Sequence, residues 1–272
     1  MKRFTLLCSS FLVAALSLNS CQETQTTVEP ANTVKFTSEI STRVTGEQFD
    51  NGDAIAVFAF ENGVLYQGNT MYTYSNGTFS SDTPIELSSD DLSLSYGAAY
   101  PYSSDMSSNG SFYINVDQSA EANYEASDLL VACTEATTSL TPQLVFNHAF
   151  SKLNITLESE TVDLTDAIVE VKAVNCANVS VKDATYTAEG TAVNVRCLPL
   201  GDNEYSVIFP PQSVSAQAGY MTIVAGGVEY VWNLSFNFTF ESGKSYKSTV
   251  SIEAAVEEGD GTIEELNEGV EL

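Results

Sequence analysis

Short runs of β-branched and aromatic residues, separated by turn-forming residues, recur along the chain from Val34 onward. This part shows no convincing stretch with the period of about 3.6 residues that is typical of an amphipathic helix. Residues 54–60 (AIAVFAF), for example, form an almost wholly apolar run that follows a turn-like DNGD sequence at 50–53. Such runs between clusters of Gly, Asn, Asp and Ser are typical of β-strands. The sequence therefore predicts an all-β protein.

A hairpin is predicted just after this first apolar run. Tyr72, Tyr74 and Phe79 alternate with other residues on either side of a short turn. The turn is Asn76-Gly77, the residue pair that a two-residue type I′ hairpin favours because both of its positions need a positive φ. We therefore predict two antiparallel strands joined at Asn76-Gly77.

The remaining strands fill the chain at similar intervals. They are predicted at 92–100, 112–116, 128–133, 144–147, 152–158, 168–174, 193–198, 205–209, 220–224, 228–240 and 246–252. More than ten strands with polar turns between them indicate a β-sandwich or a barrel, and at about 100 residues per sandwich the chain has room for two. We place the boundary near Pro142, after the polar run 134–141, which gives domains at 34–142 and 143–272. The acidic tail at 253–272 is assigned to neither core.

Residues 1–20 have the pattern of an export signal. A basic start (MKR) precedes a mostly apolar run at 4–18 that is too short for a stable transmembrane helix. The run ends in Leu-Asn-Ser-Cys at 18–21, which resembles the bacterial lipobox, in which the Cys is modified with lipid before cleavage. The alternative is an ordinary signal peptide with an incidental Cys. We predict a lipoprotein signal peptide, lipidation of Cys21, a polar linker at 21–33 and sorting to the outer membrane.

The charge of the chain excludes two classes of partner. It has 36 Asp and Glu residues against 10 Lys and Arg residues, a formal net charge of −26. Nucleic acid is excluded because phosphate binding needs a basic surface. Attraction to an anionic lipid surface is excluded for the same reason. Hydrophobic residues make up 43% of the chain, enough to form a core, which argues against disorder throughout.

No combination of residues predicts an enzyme. His148 is the only histidine and lies in the apolar sequence FNHAF at 146–150, which favours a half-buried structural histidine over a catalytic base. The sequence lacks a Gly-x-Ser-x-Gly elbow and a phosphate-binding glycine loop. Asp50, Asn51 and Asp53 have the wrong spacing for a helix-flanked calcium loop, and a hairpin turn explains them better. We expect no catalytic residues, no metal and no cofactor.

The cysteines are also too few for a zinc cluster, since the chain has five of them and one histidine. Cys133, Cys176 and Cys197 remain in the predicted folded part. Cys176 and Cys197 could form one disulfide between neighbouring strands. The preferred interpretation is that these thiols are free and buried and behave as small hydrophobic side chains.

Basic residues are so rare that their positions matter. After Lys35 and Arg43, the next basic residue is Lys152. Arg43 lies between a predicted first strand and the turn at 50–53, and a protease that cuts after Arg needs such an exposed, unstructured site. Arg196, the other Arg after the signal peptide, lies in a predicted strand and is expected to be protected. The alternative is that Arg43 is an ordinary solvated loop residue or pairs with an acidic neighbour.

Three features together resemble the fimbrillin-like family of the Bacteroidales, the subunits of type V pili. The first is the lipobox Cys21. The second is a block in which Phe36, Arg43 and Val44 precede FDNGDAIAVF at 49–58. The third is a series of short sequences: AYPY at 99–102, VDQS at 116–119, Tyr124, SDLL at 127–130 and FNHAFSKL at 146–153.

The resemblance implies two tandem transthyretin-like β-sandwich domains in a cell-surface subunit that is exported as a lipoprotein. It also implies that an Arg-specific protease removes the lipid-bearing first strand and that a strand of another subunit fills the exposed groove. On this sequence, cleavage falls between Arg43 and Val44, and residues 34–42 are the removable strand. The implied partners are other pilus subunits, the maturation protease, the outer membrane through the lipid on Cys21, and a receptor on a host or bacterial surface.

The donor strand is expected from the C-terminal region, and here the sequence fits the family poorly. The tail at 262–272 (TIEELNEGVEL) is acidic and has apolar residues only at Ile263, Leu266, Val270 and Leu272. A tip subunit, an anchor subunit or a non-polymerising relative is therefore an alternative to a polymerising one.

A monomeric surface lipoprotein that binds glycans is the alternative function. Aromatic rings can stack on sugars, although in β-proteins they are more often part of the core or of cross-strand pairs. The candidate rings are Tyr96, Tyr100, Tyr102, Tyr113 and Trp232.

Overall fold

The computed structural model describes residues 32–41, 48–253 and 258–265, and for 258–265 it describes the backbone alone. The elements of the first half are β1 (Thr37–Ile40), β2 (Ala54–Glu61), β3 (Val64–Ser75), β4 (Thr78–Ser80), β5 (Ser95–Tyr100), β6 (Asn109–Tyr113), α1 (Glu121–Glu125), β7 (Leu130–Cys133) and β8 (Gln143–His148). Those of the second half are β9 (Ser151–Glu158), β10 (Ile168–Val174), β11 (Cys176–Ser180), β12 (Thr185–Ala188), β13 (Ala192–Arg196), β14 (Leu198–Gly201), β15 (Glu204–Phe209), β16 (Gln212–Val214), β17 (Gln217–Ala225), β18 (Val228–Leu234), β19 (Phe238–Phe240), β20 (Ser245–Ser251) and β21 (Glu258–Glu265). The predicted all-β class is confirmed.

The turns that the sequence predicted are formed. Asn76 and Gly77 have φ values of 49° and 92° and join β3 to β4, as a type I′ hairpin requires. Before β2, the backbone N–H of Asp50 donates to the Asp53 carboxylate at 2.8 Å. The backbone N–H of Asp53 donates in turn to the Asp50 carbonyl at 3.0 Å, so this cluster is a turn that starts β2.

A seven-stranded sheet contains all the strands of the first half except β6, in the order β1-β8-β7-β5-β2-β3-β4. β1 runs parallel to β8, and the other neighbours are antiparallel. Phe36, just before β1, also forms a bridge with Phe79 of β4. The two ends of the sheet therefore meet at the chain segment that contains β1.

A nine-stranded sheet contains most of the second half, in the order β13-β10-β17-β18-β21-β20-β9-β15-β14. β21 is parallel to β18 and antiparallel to β20, so this last described strand joins the two parts of the sheet. Two smaller sheets have the orders β12-β11-β6 and β16-β19. The sequence predicts a tail that belongs to neither core, whereas the backbone of 258–265 lies within this sheet.

β2 is apolar along its length because its two faces pack into different cores. Ile55 and Val57 belong to a core formed by residues of the first half, whereas Ala56 and Phe58 belong to a core that includes most buried residues of the second half. β5 and β7 divide their side chains between the same two cores. A sheet that is covered on both faces needs continuous apolar runs, which explains why AIAVFAF does not alternate.

The two halves are also connected through backbone and side-chain hydrogen bonds. β6 of the first half pairs with β11 of the second half. The buried amide of Gln118 donates to the Ile208 carbonyl at 2.7 Å and accepts from the Ile208 N–H at 2.9 Å. At Gly97 of β5, an added Cβ would lie 2.6 Å from the carbonyl oxygen of Val181, so only glycine permits this approach.

β8 belongs to the seven-stranded sheet although it follows the predicted boundary at Pro142. The change from one sheet to the other falls between His148 and Ser151, because β9 pairs with β15 and β20. The division into two domains stays a prediction.

The predicted strand 228–240 is two strands, β18 and β19, on different sheets. No helix in the described ranges has the length and hydropathy of a membrane span.

Candidate functional site

The N-terminal segment, defined here as residues 32–41, contacts both β8 and β4 of the seven-stranded sheet. Val34 and Phe36 have exposed fractions of 0%, whereas Lys35 is partly exposed and Glu39 is exposed. The alternation in Val-Lys-Phe is the pattern of a strand with one buried face. The segment thus inserts two large apolar side chains into the core of the first half.

Backbone hydrogen bonds hold this segment on both sides. On one side, the N–H groups of Lys35, Thr37 and Ser41 donate to carbonyl groups of residues 140–146 at 2.8–3.2 Å. On the other side, Phe36 and Phe79 exchange two bonds of 3.1 and 2.8 Å, and further bonds connect 32–34 with 85–87. Residues 32–36 therefore have hydrogen-bonded neighbours on both sides, and β1 continues the segment along β8.

Two tyrosines form a socket for the ring of Phe36, and we call Tyr72 and Tyr96 the Phe36 socket. The Phe36 ring lies edge-on to Tyr72 at 4.9 Å and to Tyr96 at 5.1 Å between ring centroids. This edge-to-face geometry is the favoured one for aromatic pairs. The Tyr72 hydroxyl donates to the Val34 carbonyl at 3.1 Å and accepts from the N–H of Ile85 at 2.8 Å. Burial raises the pKa of Tyr72 to about 12, so the hydroxyl stays protonated.

Removal of the N-terminal segment would leave a groove with two unpaired edges and an apolar floor. The freed backbone groups would include the N–H of Phe79 and Leu87 and the carbonyls of Ile85 and Phe146. Unpaired backbone groups next to exposed apolar surface favour the addition of a strand. The groove is thus a site that can bind an extended chain.

The predicted modification and cleavage sites lie outside the described residues. Cys21 precedes Asn32, the first residue of the described part, and Arg43 and Val44 lie between 41 and 48. Arg196, in contrast, is the last residue of β13. Its N–H donates to the Val116 carbonyl, and its register partner in β10 is Glu170, so the predicted location of this Arg in a strand is confirmed.

The five aromatic residues proposed as sugar platforms do not form one surface. Tyr96 and Trp232 are buried, with exposed fractions of 1% and 2%. Tyr100 lines a cleft of about 550 Å³ and Tyr113 lines a different cavity of about 220 Å³. Tyr96 and Trp232 therefore cannot be part of an exposed platform, which leaves Tyr100, Tyr102 and Tyr113.

His148 and the turn carboxylates have structural roles. The Nδ1 atom of His148 lies 2.8 Å from the Asp128 carboxylate, and the His148 side chain is 8% exposed. The pair ties the end of β8 to the loop before β7, which agrees with the structural interpretation. In the described part of the chain, His, Cys, Asp and Glu side chains form no group of three or more that could hold a metal ion.

Cys133, Cys176 and Cys197 are free thiols. Cys176 and Cys197 are buried, and burial raises the pKa of Cys197 far above its ordinary value. The alternative disulfide between these two residues is not formed. The preferred interpretation, in which they act as small hydrophobic side chains, is confirmed for Cys176 and Cys197, whereas Cys133 is exposed.

The sequence predicted a first strand at 34–42 but not the residues that surround Phe36. Tyr72 and Phe79 were predicted as hairpin residues, and Tyr96 as a strand residue and a candidate sugar platform. The alternation that placed Tyr72 on one face of a strand was the available signal. It could not show that this face meets Phe36, because that contact joins distant parts of the sequence.

Comparison with known proteins identifies the family and supports the fold of this chain. Residues 42–265 match the sequence model of the fimbrillin-like family. A Bacteroides uniformis protein described as a candidate fimbrium subunit, Fim1C, is 27% identical over 99% of this chain and 97% of its own length. Among solved structures, a candidate cell adhesion protein from Bacteroides uniformis has a TM-score of 0.66 at 21% identity and covers 87% of this chain and 97% of its own. A candidate cell adhesion protein from Bacteroides ovatus has a TM-score of 0.65 at 16% identity and covers 88% and 97%. The chain belongs to the fimbrillin-like family.

Proposed function

We propose that this protein is a cell-surface fimbrial subunit that assembles with other subunits by replacing its own N-terminal segment with a strand of a neighbour. The observation that carries the proposal is the set of hydrogen bonds that residues 32–41 make, on one side with 140–146 and on the other with Phe79 and 85–87. A terminal strand in an inner position can leave without breaking a chain connection between other strands. The space it leaves is complementary to another extended segment.

Cleavage between Arg43 and Val44 is the proposed trigger. While the N-terminal segment is joined to the rest of the chain, its local concentration is high and a strand from another subunit cannot compete. Cleavage removes this advantage, because the segment then dissociates as a separate peptide. The strong burial of Val34 and Phe36 explains why an uncut precursor would stay monomeric.

The proposed route to the surface uses the lipid on Cys21. The lipid and the N-terminal segment are on the same side of Arg43, so one cut would free the subunit from the outer membrane and open its groove. The partners in this scheme are other fimbrial subunits, an Arg-specific protease and the outer membrane. Two transthyretin-like domains remain part of the proposal and rest on the family resemblance.

The replacing strand comes from another subunit in this proposal. β21 already has neighbours on both edges, β18 and β20. A chain that used residues 258–265 as a donor would first have to open its own nine-stranded sheet. This arrangement favours a donor segment outside 258–265 or a donor from a different subunit type.

Limited digestion with an Arg-specific protease tests the trigger. We expect one cut in the folded protein, a new N-terminus at Val44, and oligomers that resist SDS. Arg43→Gln should abolish both the cut and the oligomers, whereas the control Arg196→Gln should leave the cut unchanged because residue 196 lies in β13. A folded chain that is cut after Arg43 yet stays monomeric, and shows saturable binding on a glycan array, would favour the glycan-binding alternative.

A further inference from the structure

The Phe36 socket contains one polar atom that its present occupant leaves unused. Tyr96 has an exposed fraction of 1%, and its hydroxyl finds no hydrogen-bond partner among the described residues. The hydroxyl of the other socket residue, Tyr72, has two partners, Val34 and Ile85. The two tyrosines therefore differ sharply although both contact the Phe36 ring.

A buried hydroxyl without a partner is costly because it has lost its bonds to water. Its usual partners would be a backbone group or a polar side chain, yet the ring that faces Tyr96 is the hydrocarbon ring of Phe36, at 5.1 Å between centroids. An occupant of the groove that places a hydrogen-bonding group within reach of the Tyr96 hydroxyl would remove this penalty. The resident segment, with Phe36 at this point, leaves the hydroxyl without a partner.

Tyr72 fixes the register in which a strand binds in the groove. Its hydroxyl is fixed by the N–H of Ile85, a residue that stays with the chain after cleavage, and it donates to the carbonyl of Val34. Any occupant can offer a backbone carbonyl there. The ring at the position of Phe36 lies two residues farther along the same strand. The socket therefore contacts the carbonyl and the ring of one occupant at the same time.

We infer that the Phe36 socket selects the strand that fills the groove, and that it prefers a tyrosine over the resident phenylalanine at the position of Phe36. The partner is thus an extended segment of another subunit that runs parallel to β8 and carries a tyrosine at this point. The inference rests on the proposed function, since it names the chemistry of the strand that replaces residues 32–41. Tyr96 is the specificity-determining residue, and Tyr72 is a general binding residue.

A double-mutant cycle in the intact chain tests the socket without any cleavage. The variants are Phe36→Tyr, Tyr96→Phe and the two combined, and urea unfolding gives the folding equilibrium constant of each. The cycle cancels the effects that each substitution has on its own and leaves the coupling between the two rings. We expect Phe36→Tyr to be about tenfold more favourable with Tyr96 than with Phe at position 96, the equivalent of one hydrogen bond.

Peptide binding to the cut chain tests the selection. The chain cleaved after Arg43 and freed of its first segment is titrated with a fluorescent peptide of residues 32–41 and with peptide variants. Phe36→Ala should weaken binding at least about a hundredfold, and the exposed control Glu39→Ala should change it less than about twofold. Phe36→Tyr should bind more tightly than the natural peptide, and Tyr96→Phe in the acceptor should remove that gain.

The unfolding and peptide-binding experiments distinguish a failure of the inference from a failure of the proposed function. If the natural peptide binds and the tyrosine peptide shows no advantage that depends on Tyr96, the inference is wrong and strand exchange stands. If no peptide binds the cut chain, the groove does not exchange its occupant, and both the inference and the proposed function are wrong. Absence of coupling in the intact chain overturns the inference on its own.

Discussion

Tyr72 joins three separate parts of the chain through one hydroxyl group. It lies on β3, donates to the carbonyl of Val34 and accepts from the N–H of Ile85. Both bonds are buried, so neither partner has water as a replacement. This single side chain therefore fixes the N-terminal segment against the body of the sheet.

Loss of this hydroxyl should destabilise the protein more than its size suggests. We expect Tyr72→Phe to lower the free energy of unfolding by about 1–3 kcal/mol, because two buried backbone groups lose a partner. The matched control is Tyr66→Phe, whose hydroxyl donates to the Glu86 carbonyl at an exposed site, and it should cost less than about 0.5 kcal/mol. Urea unfolding of the intact chain measures both, and equal effects would contradict the special role of Tyr72.

The same residue predicts a loss of stability in alkali. The pKa of Tyr72 is raised by burial to about 12 in the folded chain, compared with about 10 in the unfolded chain. The folded state therefore holds the proton more tightly, so stability is intact below about pH 10 and declines as pH rises from 10 to 12. Tyr72→Phe should reduce this decline, measured as the unfolding midpoint between pH 9 and 11.5. An unchanged slope would show that Tyr72 ionises equally easily in both states.

Among the secondary-structure elements, strands with a clear local pattern of apolar residues could be predicted, and strands without one could not. β10 was predicted at 168–174 and has those bounds, because its apolar residues alternate cleanly. β11 and β21 were missed, since their sequences are rich in small and polar residues. These two strands are held by neighbours rather than by their own pattern: β11 pairs with β6 and β12, and β21 lies between β18 and β20.

Gln118 shows how a side chain can replace a missing strand neighbour. Its amide makes both hydrogen bonds with the backbone of Ile208, at the end of β15. Gln118→Leu keeps the volume but leaves the N–H and carbonyl of Ile208 unpaired. We expect it to destabilise the chain by about 2–4 kcal/mol, whereas Gln143→Leu at an exposed position should cost less than about 0.5 kcal/mol. Thermal unfolding of the two variants distinguishes them, and equal melting temperatures would contradict the role given to Gln118.

At the scale of the whole molecule, the groove brings together residues that are distant in sequence. Phe36 meets Tyr72, Phe79 and Tyr96 only because the seven-stranded sheet closes on the N-terminal segment. Local patterns predicted the class of fold, the hairpin at 76–77 and a first strand that begins near Val34. They could not give the register of β1 against β8, which depends on parallel pairing between residues about a hundred positions apart.

In the proposed function, the N-terminal segment seals a groove that a strand of another subunit can fill. Hydrogen exchange of the amides of Phe79 and Leu87 reports on this groove, because these N–H groups donate to the carbonyls of Phe36 and Asn32. The amide of Val181, which donates to the Ser108 carbonyl, is the internal control. We predict that cleavage after Arg43 and removal of the first segment abolish protection at Phe79 and Leu87, and that assembly restores it, with no change at Val181. Protection that persists after the segment has left, or that does not return on assembly, would contradict the claim.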